Sequence, residues 1–168
     1  MQNGDLSCTR IAPSHADSVN SVALSSNGGF AISASDDRTL KFWDVTSGRE
    51  LRTLKGHSDH VNDVALSADA MLAVSVSDDK TVRAWNVESG RLLRTLRGHS
   101  AWVRGVAVSV DGKRAVSASW DHTVKVWDLN TRVLIATFTA DAVVHSCAFG
   151  ANRTILAGDG CDGGCNRS

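Results

Sequence analysis

Residues 57–98 read HSDHVNDVALSADAMLAVSVSDDKTVRAWNVESGRLLRTLRG, a unit of 42 residues that recurs with few changes three times along the chain. Histidines, aspartates and tryptophans return at this spacing: His15, His57 and His99; Asp37, Asp79 and Asp121; Trp43, Trp85 and Trp127. A fixed period of this length indicates a repeat protein whose units cannot bury their apolar faces alone. We therefore expect a residue that recurs in every unit to serve the fold.

Within one unit, four short β-rich runs alternate with polar turns such as Asp78-Asp79-Lys80. The runs cover residues 61–66, 72–77, 81–87 and 92–96. Four strands joined by short turns form an antiparallel meander. Small four-stranded sheets arranged radially stack their apolar faces and leave only short edges, and a period of about 40–45 residues is typical of such propellers. The predicted fold class is all-β, built from propeller blades.

Several motifs recur together in the three units. They are Gly-His at 56–57 and 98–99, Trp-Asp at 43–44 and 127–128, and Ser-x-Asp-x-Thr at 35–39, 77–81 and 119–123. On these motifs the chain resembles the WD-repeat β-propeller family, densely over 15–140 and weakly over 141–160. The nearest resemblance is to the regular bacterial arrays at the C-terminal end of large signalling ATPases. Unit one departs with Ser14 in place of glycine, and unit two with Asn86 in place of aspartate.

The resemblance divides the chain into three repeats at 15–56, 57–98 and 99–140. Segment 1–14 is predicted to supply a possible closing outer strand, and 141–168 a degenerate partial fourth repeat with a Gly/Cys tail. In that fourth repeat Gly158 stands where the recurring serine belongs, and Ser168 where the tryptophan belongs. Three complete blades and a part cannot close a ring. A fragment of a longer array is favoured, a homodimer that completes a ring comes next, and an open stack is the third alternative.

Each unit also carries a serine, histidine and aspartate of the kind used by hydrolases. Three copies at one period favour one structural role per blade, since a catalytic set needs a single pocket with an oxyanion site. The resemblance implies a chain in which aspartate accepts from histidine, histidine bonds serine, and serine meets the indole N–H. The predicted structural tetrads are His15/Ser33/Asp37/Trp43, His57/Ser75/Asp79/Trp85 and His99/Ser117/Asp121/Trp127.

Binding in propellers, by the same resemblance, occurs where the inner strands begin and at the turns between the second and third strands. The candidate partner-binding residues are Ser18, Asn20, Asp36, His60, Asn62, Asp78, Trp102, Arg104 and Trp120. Trp102, Arg104 and Trp120 carry the most weight, because Trp and Arg are enriched at binding hot spots and neither tryptophan has an equivalent in the other units. The alternative is that the two tryptophans stack on each other or fill a gap between blades.

Composition narrows the remaining possibilities. The 18 basic and 18 acidic residues balance, which argues against nucleic acid or an anionic membrane as partner. No apolar run approaches the roughly 20 residues of a membrane span, and the N-terminus lacks a signal-peptide centre. The four cysteines, Cys8, Cys147, Cys161 and Cys165, fall outside the three clean repeats, so they do not form a disulfide framework for the core. Without such a framework, the cytoplasm is the expected compartment. The pair Cys161/Cys165 has no second ligand pair, and no metal or cofactor is predicted.

We predict that the protein is not an enzyme. We expect it to act as a protein–protein interaction scaffold or ligand-sensing module, to belong to a larger signalling assembly, and to bind a protein or peptide partner. A purely structural repeat without its own ligand is the first alternative. A hydrolase that uses a Ser-His-Asp set is a remote one.

Overall fold

The computed structural model describes residues 15–150 and 154–159, and these residues form fourteen strands and no helix. The strands assemble into three four-stranded antiparallel sheets and one two-stranded sheet, which confirms the predicted all-β fold of three blades and a partial fourth. The predicted closing strand in 1–14 and the tail with Cys161 and Cys165 lie outside the described residues. Each four-stranded sheet lies within one of the predicted units.

The strands follow the chain order within every sheet. Sheet 1 holds β1 (Val19–Leu24), β2 (Phe30–Ser35), β3 (Thr39–Asp44) and β4 (Arg49–Lys55). Sheet 2 holds β5 (Val61–Leu66), β6 (Leu72–Ser77), β7 (Thr81–Asn86) and β8 (Leu92–Arg97). Sheet 3 holds β9 (Val103–Val108), β10 (Arg114–Ser119), β11 (Thr123–Asp128) and β12 (Leu134–Thr139). Sheet 4 holds β13 (Val144–Phe149) and β14 (Ile155–Asp159).

The Ser-x-Asp-x-Thr motif closes the turn between the second and third strands of each sheet. In sheet 1, the backbone N–H of Arg38 donates to the carbonyl of Ser35 at 3.2 Å. Thr39 donates to the carboxylate of Asp37 through both its backbone N–H (2.9 Å) and its hydroxyl (2.6 Å). Arg38 adopts a left-handed φ of 68°. The side-chain bonds hold this turn in a backbone conformation that residues other than glycine seldom adopt.

The hydrophobic core lies between consecutive sheets. Ile32 and Leu40 on sheet 1 pack with Val61, Val64 and Trp85 on sheet 2, and all five are buried. The same arrangement recurs between sheets 2 and 3 and, with fewer residues, between sheets 3 and 4. Because each sheet buries one face against its neighbour, burial of apolar area stabilises the stack as a whole rather than any single sheet.

Polar contacts also join the first strands of neighbouring sheets. The carboxylate of Asp63 accepts from the hydroxyl of Ser21 in sheet 1 at 2.6 Å and from the backbone N–H of Val106 in sheet 3 at 2.9 Å. Burial raises the pKa of Asp63, against these hydrogen bonds. At the equivalent position of sheet 3, a Cβ on Gly105 would stand 2.7 Å from the carbonyl oxygen of His145, so strand β13 approaches more closely than a side chain allows.

Strand β1 differs from its equivalents in burial. Val22 on β1 is 59% exposed, whereas Val64 on β5 and Val106 on β9 are 4% and 6% exposed. The two buried valines lie under the preceding sheet. The outer face of β1 is therefore built like a face between two sheets, and within the described residues no sheet covers it.

Candidate functional site

In sheet 2, the predicted tetrad forms one continuous chain of hydrogen bonds. The indole Nε1–H of Trp85 donates to Ser75 Oγ at 2.9 Å, and the Ser75 hydroxyl donates to His57 Nε2 at 2.8 Å. His57 Nδ1–H donates to Asp79 Oδ2 at 2.8 Å. An ionised carboxylate accepts only, so it fixes the imidazole tautomer and the direction of every donor behind it.

The two other tetrads have the same geometry. Their bond lengths from aspartate through histidine and serine to tryptophan are 2.8, 2.7 and 2.9 Å in sheet 1, and 2.8 Å throughout in sheet 3. The residues are His15, Ser33, Asp37 and Trp43, and then His99, Ser117, Asp121 and Trp127. In all three units, this series of hydrogen bonds joins the start of the unit to its second and third strands.

The tetrad carboxylates are held ionised. Burial alone would raise the pKa of Asp37, but hydrogen bonds from Thr39, the backbone of Ala16 and the imidazole outweigh it and hold the pKa at about 2. The pKa of Asp121 is likewise about 2, and that of Asp79 is lowered further still. Burial lowers the pKa of the sheet 2 and sheet 3 tetrad histidines, which favours the neutral imidazole that the chain requires.

The tetrad serines are poorly placed for nucleophilic attack. Ser33, Ser75 and Ser117 are buried, and each hydroxyl oxygen already donates to histidine and accepts from tryptophan. A serine nucleophile must reach a carbonyl carbon beside an oxyanion site. The hydrogen-bond chains are therefore suited to fixing the fold rather than to acyl transfer by these serines.

A groove crosses the ends of the inner strands and gathers most of the candidate binding residues. Its volume is about 580 Å³. It is lined by Asn20, Asp36, Asp59, His60, Asn62, Asp78, Trp102, Arg104 and His145. Of the nine sequence-predicted residues, seven line this groove. Ser18 and Trp120 are outside the lining, although Trp120 stands directly behind it.

Sheets 1 and 2 form the polar side of the groove. Asn20 donates through Nδ2 to Asp36 Oδ1 at 2.6 Å and to the carbonyl of Val61 on the next sheet at 3.0 Å. His60 Nδ1 lies 3.3 Å from Asp36 Oδ1, and its Nε2 lies 4.0 Å from Asp59 Oδ1. The imidazole of His60 thus stands between two carboxylates, one from each sheet.

The second unit repeats this pattern, and the third unit changes it. Asn62 donates to Asp78 Oδ1 at 2.7 Å and to the carbonyl of Val103 at 2.8 Å. At the equivalent position sheet 3 has Arg104, whose guanidinium reaches back to donate to Asn62 Oδ1 at 2.9 Å. The same nitrogen lies 3.7 Å from Asp78 Oδ1. One arginine therefore ties sheet 3 to the acidic side of the groove.

Two tryptophans form the aromatic wall of the groove. The rings of Trp102 and Trp120 have centroids 4.9 Å apart at an angle of 40°, and the edge of Trp120 meets His145 at 5.6 Å. The guanidinium carbon of Arg104 lies 5.0 Å from the Trp102 ring and 4.5 Å from that of Trp120. The tryptophans contact each other in a tilted arrangement, close to what the alternative to a binding role supposed, yet Trp102 remains 41% exposed.

Two lining residues, Asp59 and His145, were missed by sequence reasoning. Asp59 stands two residues before the inner strand, and its counterpart in unit three is Ala101, which hides the position in a search for residues shared by the units. His145 follows an offset of 41 rather than 42 and so falls out of register. Its approach to Trp120 depends on how closely β13 packs on β9.

The described residues show no cluster of three or more histidine, cysteine, aspartate or glutamate side chains able to hold a metal ion. No helix among residues 15–150 and 154–159 is long and apolar enough to cross a membrane. Cys147 is a free thiol that donates to the carbonyl of Val116, and burial raises the pKa of Cys147 to about 12. Such a thiol is a poor nucleophile near neutral pH.

The sequence model of the family described as WD domain, G-beta repeat matches residues 6–44, 48–86 and 90–128. The ribosome biogenesis protein BOP1 homologs of Drosophila willistoni and Drosophila melanogaster are 42% identical over 41 residues, which is 24% of this chain and 5% of each relative. The solved structure of U3-55K superimposes with a TM-score of 0.78 at 28% identity, over 82% of this chain and 44% of that chain. This chain therefore spans less than half the length of these proteins.

Removing a tetrad member should destabilise the protein. We expect Trp85→Ala and Asp79→Ala to lower the free energy of unfolding by about 2–5 kcal/mol, through the cavity or the orphaned donors that they leave. Trp102→Phe, which changes an exposed tryptophan outside the tetrads, is the matched control and should cost under about 1 kcal/mol. Urea denaturation of each variant is the measurement. Losses below about 1 kcal/mol at the tetrad would remove its assigned role.

Stability should fall in two stages on acidification. The buried imidazoles of His57 and His99 have pKa values below the ordinary 6.5, so their contribution is full above about pH 6.5 and is lost as the pH falls toward the folded-state pKa. The carboxylates of Asp37 and Asp121, with pKa values of about 2 against 3.8, lose theirs between about pH 4 and 2. Urea titrations at a series of pH values measure this. A flat profile between pH 7.5 and 5 would contradict the histidine stage.

Proposed function

The chain belongs to the WD40 repeat family, and from this premise we propose that it is an interaction scaffold whose groove along the inner strands binds a protein or peptide partner. The supporting observation is the contrast between two sets of positions. The three tetrads are identical in residue type and nearly identical in geometry. The groove positions at the same period differ in size, charge and aromaticity.

This divergence is concentrated in the third unit. Where sheets 1 and 2 have Asp36 and Asp78, sheet 3 has Trp120, and where they have asparagine it has Arg104. At a third position of the unit, sheets 1 and 2 have Ser18 and His60, and sheet 3 has Trp102. A scaffold that only needed to fold would have no reason to place a half-exposed tryptophan beside an arginine. Residues of these types at the centre of a concave surface are typical of binding hot spots.

Membership of the family fits a scaffold without catalytic activity, and the buried tetrad serines support the same conclusion. A place in a larger assembly is part of the proposal. The comparisons do not show the predicted resemblance to bacterial signalling ATPases, and the curated relatives are named as ribosome biogenesis proteins, so the signalling role has no support from them. The cytoplasm remains the proposed compartment, and the reduced, buried thiol of Cys147 is compatible with it.

A second proposal concerns the exposed face of β1. We propose that a second copy of the chain covers it by repeating the contact that consecutive sheets already make. The equivalent valines in sheets 2 and 3 are buried by such a contact, whereas Val22 is exposed. An exposed apolar face of this kind favours association. A ring completed by two chains is the arrangement that this pairing predicts.

The groove proposal is tested by paired variants. Trp102→Ala should reduce recovery of bound protein at least about tenfold in affinity purification from cells that make the chain, because a hot-spot residue contributes about 1.4 kcal/mol or more. The matched control is Val110→Ala, an exposed residue in a turn away from the groove. Both variants should still unfold cooperatively, with Trp102→Ala destabilised by about 1 kcal/mol through the lost contact with Trp120. Identical recovered proteins with both variants would instead favour the purely structural repeat.

The second-copy proposal is tested by light scattering over a range of concentrations. Wild-type protein should approach the dimer mass as concentration rises, and Val22→Asp should remain monomeric because it places a charge in the contact. Val110→Asp, an equal change outside the face, should dimerise like the wild type. A wild-type monomer at every concentration would contradict the proposal.

A further inference from the structure

The groove carries an excess of negative charge. Three of its lining residues, Asp36, Asp59 and Asp78, are carboxylates, and Arg104 is the one lysine or arginine among the lining residues that the structure describes. Asp36 and Asp78 each accept from an asparagine, and only Asp78 of the three also lies near Arg104. The groove therefore has two carboxylates that no lysine or arginine of the described lining neutralises.

Those two carboxylates stand on either side of one imidazole and reach solvent. The side chains of Asp36 and Asp59 are 26% and 49% exposed, and the ring of His60 lies between them. A cation added beside this imidazole would be attracted by both carboxylates. Because the site is partly shielded from water by the groove walls, the attraction is stronger than for a pair on an open surface.

The opposite wall is suited to the stem of a long basic side chain. Trp102 is 41% exposed, and its aromatic and cationic neighbours are Trp120 and Arg104. The position of Arg104, with its guanidinium carbon 4.5–5.0 Å from both rings, demonstrates that this wall accepts a cation. Lysine and arginine carry an apolar stem with a charged head, which matches an aromatic wall facing carboxylates.

The aromatic wall contains two buried N–H groups without an acceptor. Trp120 Nε1 and Arg104 Nε are buried and have no hydrogen-bond partner among the described residues. Buried donors are nearly always paired.

We infer that the groove binds a basic peptide segment of the partner, with a lysine or arginine head beside Asp36 and Asp59 and its stem on Trp102. This inference rests on the proposed function and specifies the partner's chemistry. A nucleic acid fits less well, because its phosphates would face three carboxylates. The site lies at the junction of sheets 1, 2 and 3, so it requires the assembled stack.

The five tryptophans supply a direct measurement. Each indole N–H gives one signal in a nitrogen–proton correlation spectrum, and Trp43, Trp85 and Trp127 serve as internal references because their indoles are bonded inside the tetrads. The probe is a short Gly/Ser peptide with two adjacent arginines, added to the full chain. We expect the signals of Trp102 and Trp120 to shift saturably while the three tetrad signals stay in place. Trp102→Phe and Trp120→Phe assign the signals.

Matched variants locate the charge. Asp59→Asn should weaken the arginine peptide about fivefold, because it removes one half-exposed carboxylate from the attraction. Asp17 is the control, because it occupies the position of Asp59 in unit one and is outside the groove lining. Asp17→Asn should bind like the wild type. Raising the salt concentration should weaken binding in parallel.

Several results would overturn the inference. They are equal or larger shifts with a peptide carrying two glutamates, preferential shifts with a single-stranded oligouridylate, and equal affinity of Asp59→Asn and wild type. Absence of any shift up to millimolar peptide would also overturn it. If Trp102→Ala still abolishes partner recovery in these cases, the groove remains a binding surface and only the basic character of the partner is wrong. If both experiments fail, the proposed function fails with the inference.

Discussion

The carboxylate of the tetrad aspartate is the group on which the rest of the structure depends. In sheet 2 it closes the turn between β6 and β7 through Thr81 and reaches across to His57 at the start of the unit. From there the hydrogen bonds run through Ser75 to Trp85, whose ring packs against the preceding sheet. One buried, ionised group thereby sets a turn, a strand register and a sheet-to-sheet contact. A network of this kind is stabilising only when every member is satisfied.

The groove follows from this rigidity. Because each tetrad holds its sheet in the same geometry, residues at the same position of successive units come to lie side by side, as Asn20, Asn62, Arg104 and His145 do. Changing one of them alters the surface without altering the scaffold. Arg104 illustrates the point, since it replaces an asparagine yet still binds back to Asn62 and the Asp78 region. Fixed backbones and variable side chains at one edge are how a repeat fold acquires a site.

The period of 42 residues predicted the strands, the turns and the recurring residues of each unit, because these depend on contacts within one unit. The family resemblance supplied the bonding order of each tetrad and the positions of seven of the groove's nine lining residues. Asp59 and His145 were not, because their role arises from contacts between sheets, and the angle between sheets is not written in any one unit. For the same reason the sequence did not indicate that Asp63 bridges sheets 1 and 3, or that Arg104 would turn back toward Asn62 while stacking on two tryptophans.

Asp63 and Gly105 make the contact between one pair of neighbouring sheets different from the contact between the next pair. Ser21, Asp63 and Gly105 occupy one position in three units, yet the serine donates to the aspartate ahead of it, the aspartate accepts from the backbone of the following sheet, and the glycine admits the close approach of β13. A duplicated or deleted unit would place aspartate beside aspartate, or a side chain where only hydrogen fits. The three units are therefore not interchangeable at their innermost strands, although their tetrads are identical in residue type.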